Sequence, residues 1–218
     1  MSFAMLHYPV PREEARNELV VSNSRFIATL APVFSVEQAR EFIGRVRSEF
    51  ADATHNVPAY IIGGGDTVLE HCSDDGEPSG TAGRPALSVL KGSGLGDAAV
   101  VVTRYFGGTK LGTGGLVRAY SEAVRMVVEA VPRAERLPTV TVMLELPYRW
   151  VERLRRIATA YQGRILDEQF AADVTVSLRL PEERYPAFEA ELQEASNGTL
   201  LGIVVSHEEE LISLDQPK

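Results

Sequence analysis

Residues 98–131 read AAVVVTRYFGGTKLGTGGLVRAYSEAVRMVVEAV. The first nine, 98–106, form a continuous apolar and β-branched run, the pattern of a strand covered on both faces. From about Gly114 the spacing becomes helical: Leu116, Val117, Tyr120, Val124, Val127, Val128 and Val131 line one side of a helix ending near Val131. Between strand and helix lies GGTKLGTGG, residues 107–115. A strand, a glycine loop and a helix in that order present unpaired helix N–H groups, with their partial positive charge, to whatever docks on the loop. Arg104 and Lys110 strengthen that reading, and Thr113 is placed to cap the helix or touch an anion. The competing reading is packing alone, with the glycines letting the helix approach the strand. The loop is neither of two familiar phosphate motifs. Counting from Gly107, Gly112 fits a P-loop, but Thr113-Gly114 stand where Lys and Ser/Thr are required; and Val117 spoils G-x-G-x-x-G from Gly112.

Immediately upstream, SDDGEPSGTAGRP (73–85) has no periodicity and reads as a loop with three acids, Asp74, Asp75 and Glu77. Clustered carboxylates serve Mg²⁺ or general-base chemistry. No histidine at ligand spacing completes a metal site, so turn formation and pairing with Arg84, Arg104 or Arg118 is the preferred reading. Between Arg84 and Arg118 five cations face one acid, Asp97, giving a local charge of +4 in a chain of net charge −8. A general nucleic-acid binder is more often basic overall, so any phosphate contact belongs to this local patch. A short helix is expected from Pro85 to Lys91, with proline at its first position.

Further upstream, SRFIATLAPVF (24–34) reads as a strand, and a helix from Ser35 through Phe50 opens on a Ser35/Gln38 capping box with an apolar face of Ala39, Phe42, Ile43 and Val46. NVPAYIIGG (56–64) and TVLEHCS (67–73) are strands joined by a turn at Gly64-Gly65-Asp66. Cys72 and His71, with His55 and Asp74, raise the thought of a cysteine hydrolase. Neighbours in a strand point to opposite faces, so structural roles are preferred.

Downstream, PRAERLP (132–138) is polar, bracketed by prolines and the best linker candidate. The remainder reads strand 139–146, helix 147–161, strands 164–171 and 173–180, helix 181–196 and strand 199–211. This βαββαβ order is that of the ferredoxin-like sandwich. In the first of these helices Arg149, Arg153 and Arg156 fall at i, i+4 and i+7, either a solvated face or an RNA contact. The expected domains are therefore 1–132 and 138–212. The single cysteine fits a reducing compartment, no apolar run approaches membrane-spanning length, and the opening residues lack the features of a secretory signal. The chain reads as cytoplasmic.

DDGEPSGTAGRP (74–85), followed by VVVTRYFGGTKLGTGGLVRAYSEA (100–123), resembles the signature of the IMPACT family, as do Ser24-Arg25-Phe26-Ile27 and Thr54-His55-Asn56 before Ala59-Tyr60. Val57 departs from it, since many members carry cysteine there. The resemblance implies an α+β fold: an N-terminal domain with the left-handed βαβ fold of ribosomal-protein and elongation-factor domains, and a ferredoxin-like C-terminal domain similar to the last domain of elongation factor G. It implies no established enzymatic activity. Eukaryotic relatives look like regulators of translational initiation that work partly through a further N-terminal domain not seen in this sequence. The surface carried over comprises Asp74, Asp75, Glu77, Arg84, Arg104, Gly107, Gly108, Lys110, Gly112, Gly114, Gly115 and Arg118, to which the loop reading adds Thr113. The expectation is a non-enzymatic translation regulator that binds RNA, the ribosome or a translation-related protein, with no catalytic residue, metal or cofactor assigned. Alternatives are an enzyme on a phosphate-bearing small molecule and a protein-interaction module without nucleic acid.

Overall fold

The computed structural model describes residues 8–64 and 68–213 and divides into two compact units, the first running to Glu135 and taking in Ile212 and Ser213 as well, and the second from Arg136 to Leu211. The first unit opens with β1 (Pro9–Pro11), β2 (Ala15–Val21), β3 (Ser24–Pro32), α1 (Val36–Glu49), β4 (His55–Ile62) and β5 (Leu69–Cys72). It continues through α2 (Gly83–Gly92), β6 (Ala98–Tyr105) and α3 (Gly112–Ala130) to the start of β7 (Arg133–Leu146). Strands β2-β3-β6-β4-β5 form one antiparallel sheet with β6 at its centre. The apolar run is covered on both sides, as its composition requires. Val100 and Val102 join Phe26, Leu30 and Val57 under α2 and α3. Ala99 and Val101 pack with Phe42, Ile43 and Val46 of α1.

Local chemistry explains the helix starts only in part. Ser35 caps α1, its Oγ accepting from the Gln38 N–H at 3.2 Å. The Gln38 side chain accepts in return from Phe34 N–H at 2.8 Å, one residue earlier than in a standard capping box. Helix α2 begins at Gly83, not Pro85, because the distant Asp74 carboxylate accepts from Ala82 and Gly83 N–H at 3.1 and 2.8 Å. Helix α3 likewise begins two residues early, at Gly112. The β4–β5 pairing, Ala59↔Cys72 through Ile62↔Leu69, is the expected hairpin. Two residues of its expected turn, Gly65 and Asp66, lie outside the described residues.

The segment read as a linker is strand from Arg133 onward. Val10 pairs with Ala134 and Pro11 with Arg133. The two prolines bracketing 132–138 tolerate extended backbone as readily as a loop, and β1, with two prolines among its three residues, gives no strand signal.

The second unit holds the remainder of β7, a 3₁₀ turn (Tyr148–Trp150), α4 (Val151–Ala160), β8 (Arg164–Phe170) and β9 (Val174–Pro181). A second 3₁₀ turn (Glu182–Arg184), α5 (Tyr185–Ser196) and β10 (Ile203–Ser213) complete it. Its strand order is β10-β7-β9-β8, the ferredoxin-like arrangement. Val140, Val142, Leu144 and Leu146, alternate residues of β7, are buried against Leu154 and Ile157 of α4 and Phe188 and Leu192 of α5. Asn197 (φ +51°) and Gly198 (φ +75°) stop α5 in left-handed backbone. The fold is α+β in both units.

Candidate functional site

Arg104 lies near the end of β6, facing Phe26 of β3 and His55 of β4 across the sheet. Its guanidinium Nη1 donates to Glu77 Oε1 at 2.6 Å, and the Tyr120 hydroxyl of α3 donates to the same oxygen at 2.7 Å. Nη2 reaches Ser24 Oγ at 3.4 Å, which also accepts from Gly107 N–H at 3.1 Å. The two charged side chains are only 6% and 3% exposed. The guanidinium also lies over the Phe26 and Phe106 rings, 5.4 and 5.5 Å from their centroids. Charges this deep are tolerated only because they neutralise each other. Burial, then the hydrogen bond to Glu77, pushes ionisation of Tyr120 far above the usual phenol range.

The acidic loop is a clamp. Burial alone would raise the Asp74 carboxyl, but hydrogen bonds from Gly80, Gly83 and Ala82, and the charge of Arg84, hold it below the ordinary value. Asp75 sits at φ +49°, where its Oδ2 accepts from Asn56 N–H at 2.7 Å and its Oδ1 from Arg47 at 2.7 Å. Its carbonyl oxygen lies 2.8 Å from His55 Nδ1. A carbonyl only accepts, so Nδ1 carries a proton, and Nε2 lies 3.8 Å from Glu77 Oε2. Among the described residues no group of three or more His, Cys, Asp or Glu is placed to hold a metal.

Above this clamp opens a cavity of about 430 Å³ lined by Thr54, His55, Glu77, Pro78, Arg104, Phe106, Lys110, Leu111, Gly112, Thr113 and Leu116. The N-terminus of α3 forms one wall. It has no side-chain cap and no acid in its first turn, so its first N–H groups have neither a helical partner nor a competing carboxylate. Lys110 adds a charge beside them. Phe106, 46% exposed, stands at the same wall. The loop needs its glycines unequally. A Cβ on Gly107 would sit 2.1 Å from the Asn23 carbonyl carbon, and Gly108 and Gly112 have φ of +85° and +71°. A Cβ on Gly115 would meet Leu111 at 2.9 Å, whereas Gly114 has open space.

Of the residues singled out from the sequence, Glu77, Arg104, Lys110, Gly112 and Thr113 line this cavity, while Asp75 supports His55 from behind. Gly107 and Gly108 shape the loop, and Gly114 and Gly115 lie in the first turn of α3. Asp74 and the exposed Arg84 belong to the start of α2, and Arg118 lines another groove with Leu19, Val21 and Arg125. Of the expected acid–arginine pairs, Glu77–Arg104 forms, and Asp75 takes Arg47 instead. Thr54, His55, Phe106 and Tyr120 lie outside the binding surface expected from the sequence. The signal for two of them was present in Thr54-His55-Asn56, and the register of β4 on β6 places His55 beside Arg104. Cys72 packs against the core, and burial, then Asp74, pushes its thiol up, against a nucleophile. His71 stacks on Tyr60 at 5.1 Å. The arginine stripe is broken, because Arg149 lies in the 3₁₀ turn and Arg153 covers Trp150 at 4.9 Å.

Fold and site together define a two-unit α+β protein whose first unit folds a glycine loop and an acidic loop around one buried arginine. The Impact N-terminal domain matches residues 22–128, and a domain of unknown function (DUF1949) matches residues 144–199. The chain is 37% identical over 198 residues to an IMPACT family member of Haemophilus influenzae, covering 90% of this chain and 96% of the relative. It is 37% identical over 181 residues to the IMPACT family member YigZ of Escherichia coli, covering 83% and 89%. Protein IMPACT of Bos taurus is 39% identical over 93 residues, 41% of this chain and 29% of the bovine protein. A solved structure described as a hypothetical protein superposes with a TM-score of 0.62 at 34% identity, covering 93% of this chain and 98% of that one. The chain belongs to the IMPACT family.

Proposed function

We propose that this chain is a non-enzymatic, translation-associated binding protein whose first unit contacts RNA phosphate, free or on the ribosome. The observation that carries the reading is the α3 N-terminus, uncapped and free of acids, forming a cavity wall with Lys110. Backbone N–H groups and a helix dipole favour an anion there, and Lys110 supplies the charge that phosphate contacts require. The net charge of −8 confines binding to this patch. The translation context rests on family resemblance.

The test is binding of the full chain to RNA across a salt series. Affinity should fall steeply as salt rises, because each phosphate contact releases counterions. The exposed Lys110→Glu should weaken binding and flatten that slope while the fold survives. Arg104→Glu is unsuited to the purpose, since it would set a second buried carboxylate against Glu77. Wild-type protein without salt-sensitive RNA binding at micromolar concentration would end this reading. A second reading, a small phosphate-bearing ligand, is favoured by the cavity's size, which lies within the range of about 300–1,000 Å³ for small-molecule sites.

A further inference from the structure

We infer that the cavity beside α3 takes one ribonucleoside monophosphate unit, its phosphate on the helix N-terminus and Lys110 and its ribose hydroxyls on His55 and Glu77. The inference rests on the phosphate reading above and adds the chemical class of what is bound.

The cavity lining carries both donors and acceptors. Donors are the first N–H groups of α3, the Thr113 hydroxyl and the Lys110 ammonium. Glu77 supplies acceptors. Glu77 Oε1 is occupied by Arg104 and Tyr120, while Oε2 lies 3.8 Å from His55 Nε2. The Asp75 carbonyl accepts from His55 Nδ1–H and so turns Nε2 toward Oε2. A carboxylate oxygen beside an imidazole nitrogen suits a pair of neighbouring hydroxyls, each of which can both donate and accept. An acidic side chain on ribose hydroxyls is a recurrent solution in nucleotide sites, and the 2′-hydroxyl is what separates RNA from DNA.

Two further observations point to a ligand. The Arg104 side chain, 6% exposed, lies on the cavity wall, and among the described residues its Nε is the buried side-chain polar atom without a hydrogen-bond partner. Native proteins rarely leave such a group unpaired. Phe106 is 46% exposed, and Arg104 lies over its ring. A half-exposed ring at a phosphate site is a stacking platform for an unpaired base. A cavity of about 430 Å³ falls within the size range of small-molecule sites.

The source of that unit is either a free mononucleotide or one residue of an unpaired RNA strand. The experiment titrates the full chain with AMP, 2′-deoxy-AMP and inorganic phosphate by calorimetry, and with a single-stranded RNA, the DNA of the same sequence and the RNA duplex. The expected result is AMP binding that is roughly tenfold or more weaker for 2′-deoxy-AMP, the loss of a hydrogen bond to a charged group. Phe106→Ala and Lys110→Glu, both on exposed residues, should each weaken AMP roughly fivefold or more with unchanged thermal stability. Unpaired RNA preferred over DNA and duplex identifies the strand as source. AMP binding with no RNA binding identifies the free nucleotide, and in that case the RNA reading fails while this inference stands. Equal affinity for AMP and 2′-deoxy-AMP, or insensitivity of AMP binding to both variants, overturns the inference. So does the absence of AMP binding beside salt-sensitive RNA binding, which leaves the RNA reading intact.

Discussion

Arg104 shows how a residue read as a surface cation becomes structural once its neighbours are known. Its partner Glu77 is 27 positions away in sequence and Ser24 is 80. Removing either member of the buried pair leaves an uncompensated charge, so Arg104→Ala or Glu77→Ala should destabilise by about 3–5 kcal/mol in urea unfolding. A loss below about 1 kcal/mol would show that the pair is solvated. The glycines of the loop separate by the same kind of reasoning. Gly107→Val drives a side chain into the Asn23 backbone at about 2 Å and should cost several kcal/mol or abolish folding. Gly114→Ala, with open space at its Cβ and a helical position, should raise stability by about 0.4–1 kcal/mol. Equal responses of the two variants to thermal unfolding would refute the distinction. The sequence shows that both positions are glycine; only the approach of Asn23 separates them.

Helix α2 depends on a group outside its own segment. Asp74 takes three backbone N–H groups, of Gly80, Ala82 and Gly83, and so builds both the loop and the first turn. Its folded-state pKa is depressed, so its stabilising contribution is present above the unfolded aspartate value of about 3.9 and is lost as pH falls through the lower folded value. Asp74→Ala should therefore cost about 1 kcal/mol at neutral pH, the worth of a helix cap, and should flatten the loss of stability below pH 4. An unchanged acid limb of the stability curve would exclude this role. Local patterns carried most elements: the double-sided burial of β6, the capped α1 and the alternation of β7 and β9 all follow from periodicity. They missed the first two residues of α2, whose partner Asp74 is remote, the first two of α3, and the strands β1 and β2, of which β1 is mostly proline.

The boundary between the two units falls within β7, at Glu135–Arg136, three residues beyond the proline at 132. Each unit has its own buried cluster. A fragment 1–135 and a fragment 136–218 should each unfold cooperatively, whereas one ending at 132 discards the residues of β7 that pair with β1 and should be less stable. An N-terminal fragment 1–135 that stays unfolded in circular dichroism and calorimetry would refute the division. Family membership, the α+β class, the βαββαβ order and the glycine loop opening a helix were all legible along the chain, because each is written in contiguous motif or in a period of 2 or 3.6 residues. The cavity was not. It requires Glu77, His55, Arg104 and Thr113, drawn from an acidic loop, two strands and a helix, and their meeting depends on the register of β4 on β6 and on the paths of two irregular loops. Periodicity reports which face of an element is apolar, but it carries no information about which loops close over that face, nor that Arg104, alone among the five cations from Arg84 to Arg118, is spent inside while the other four stay exposed.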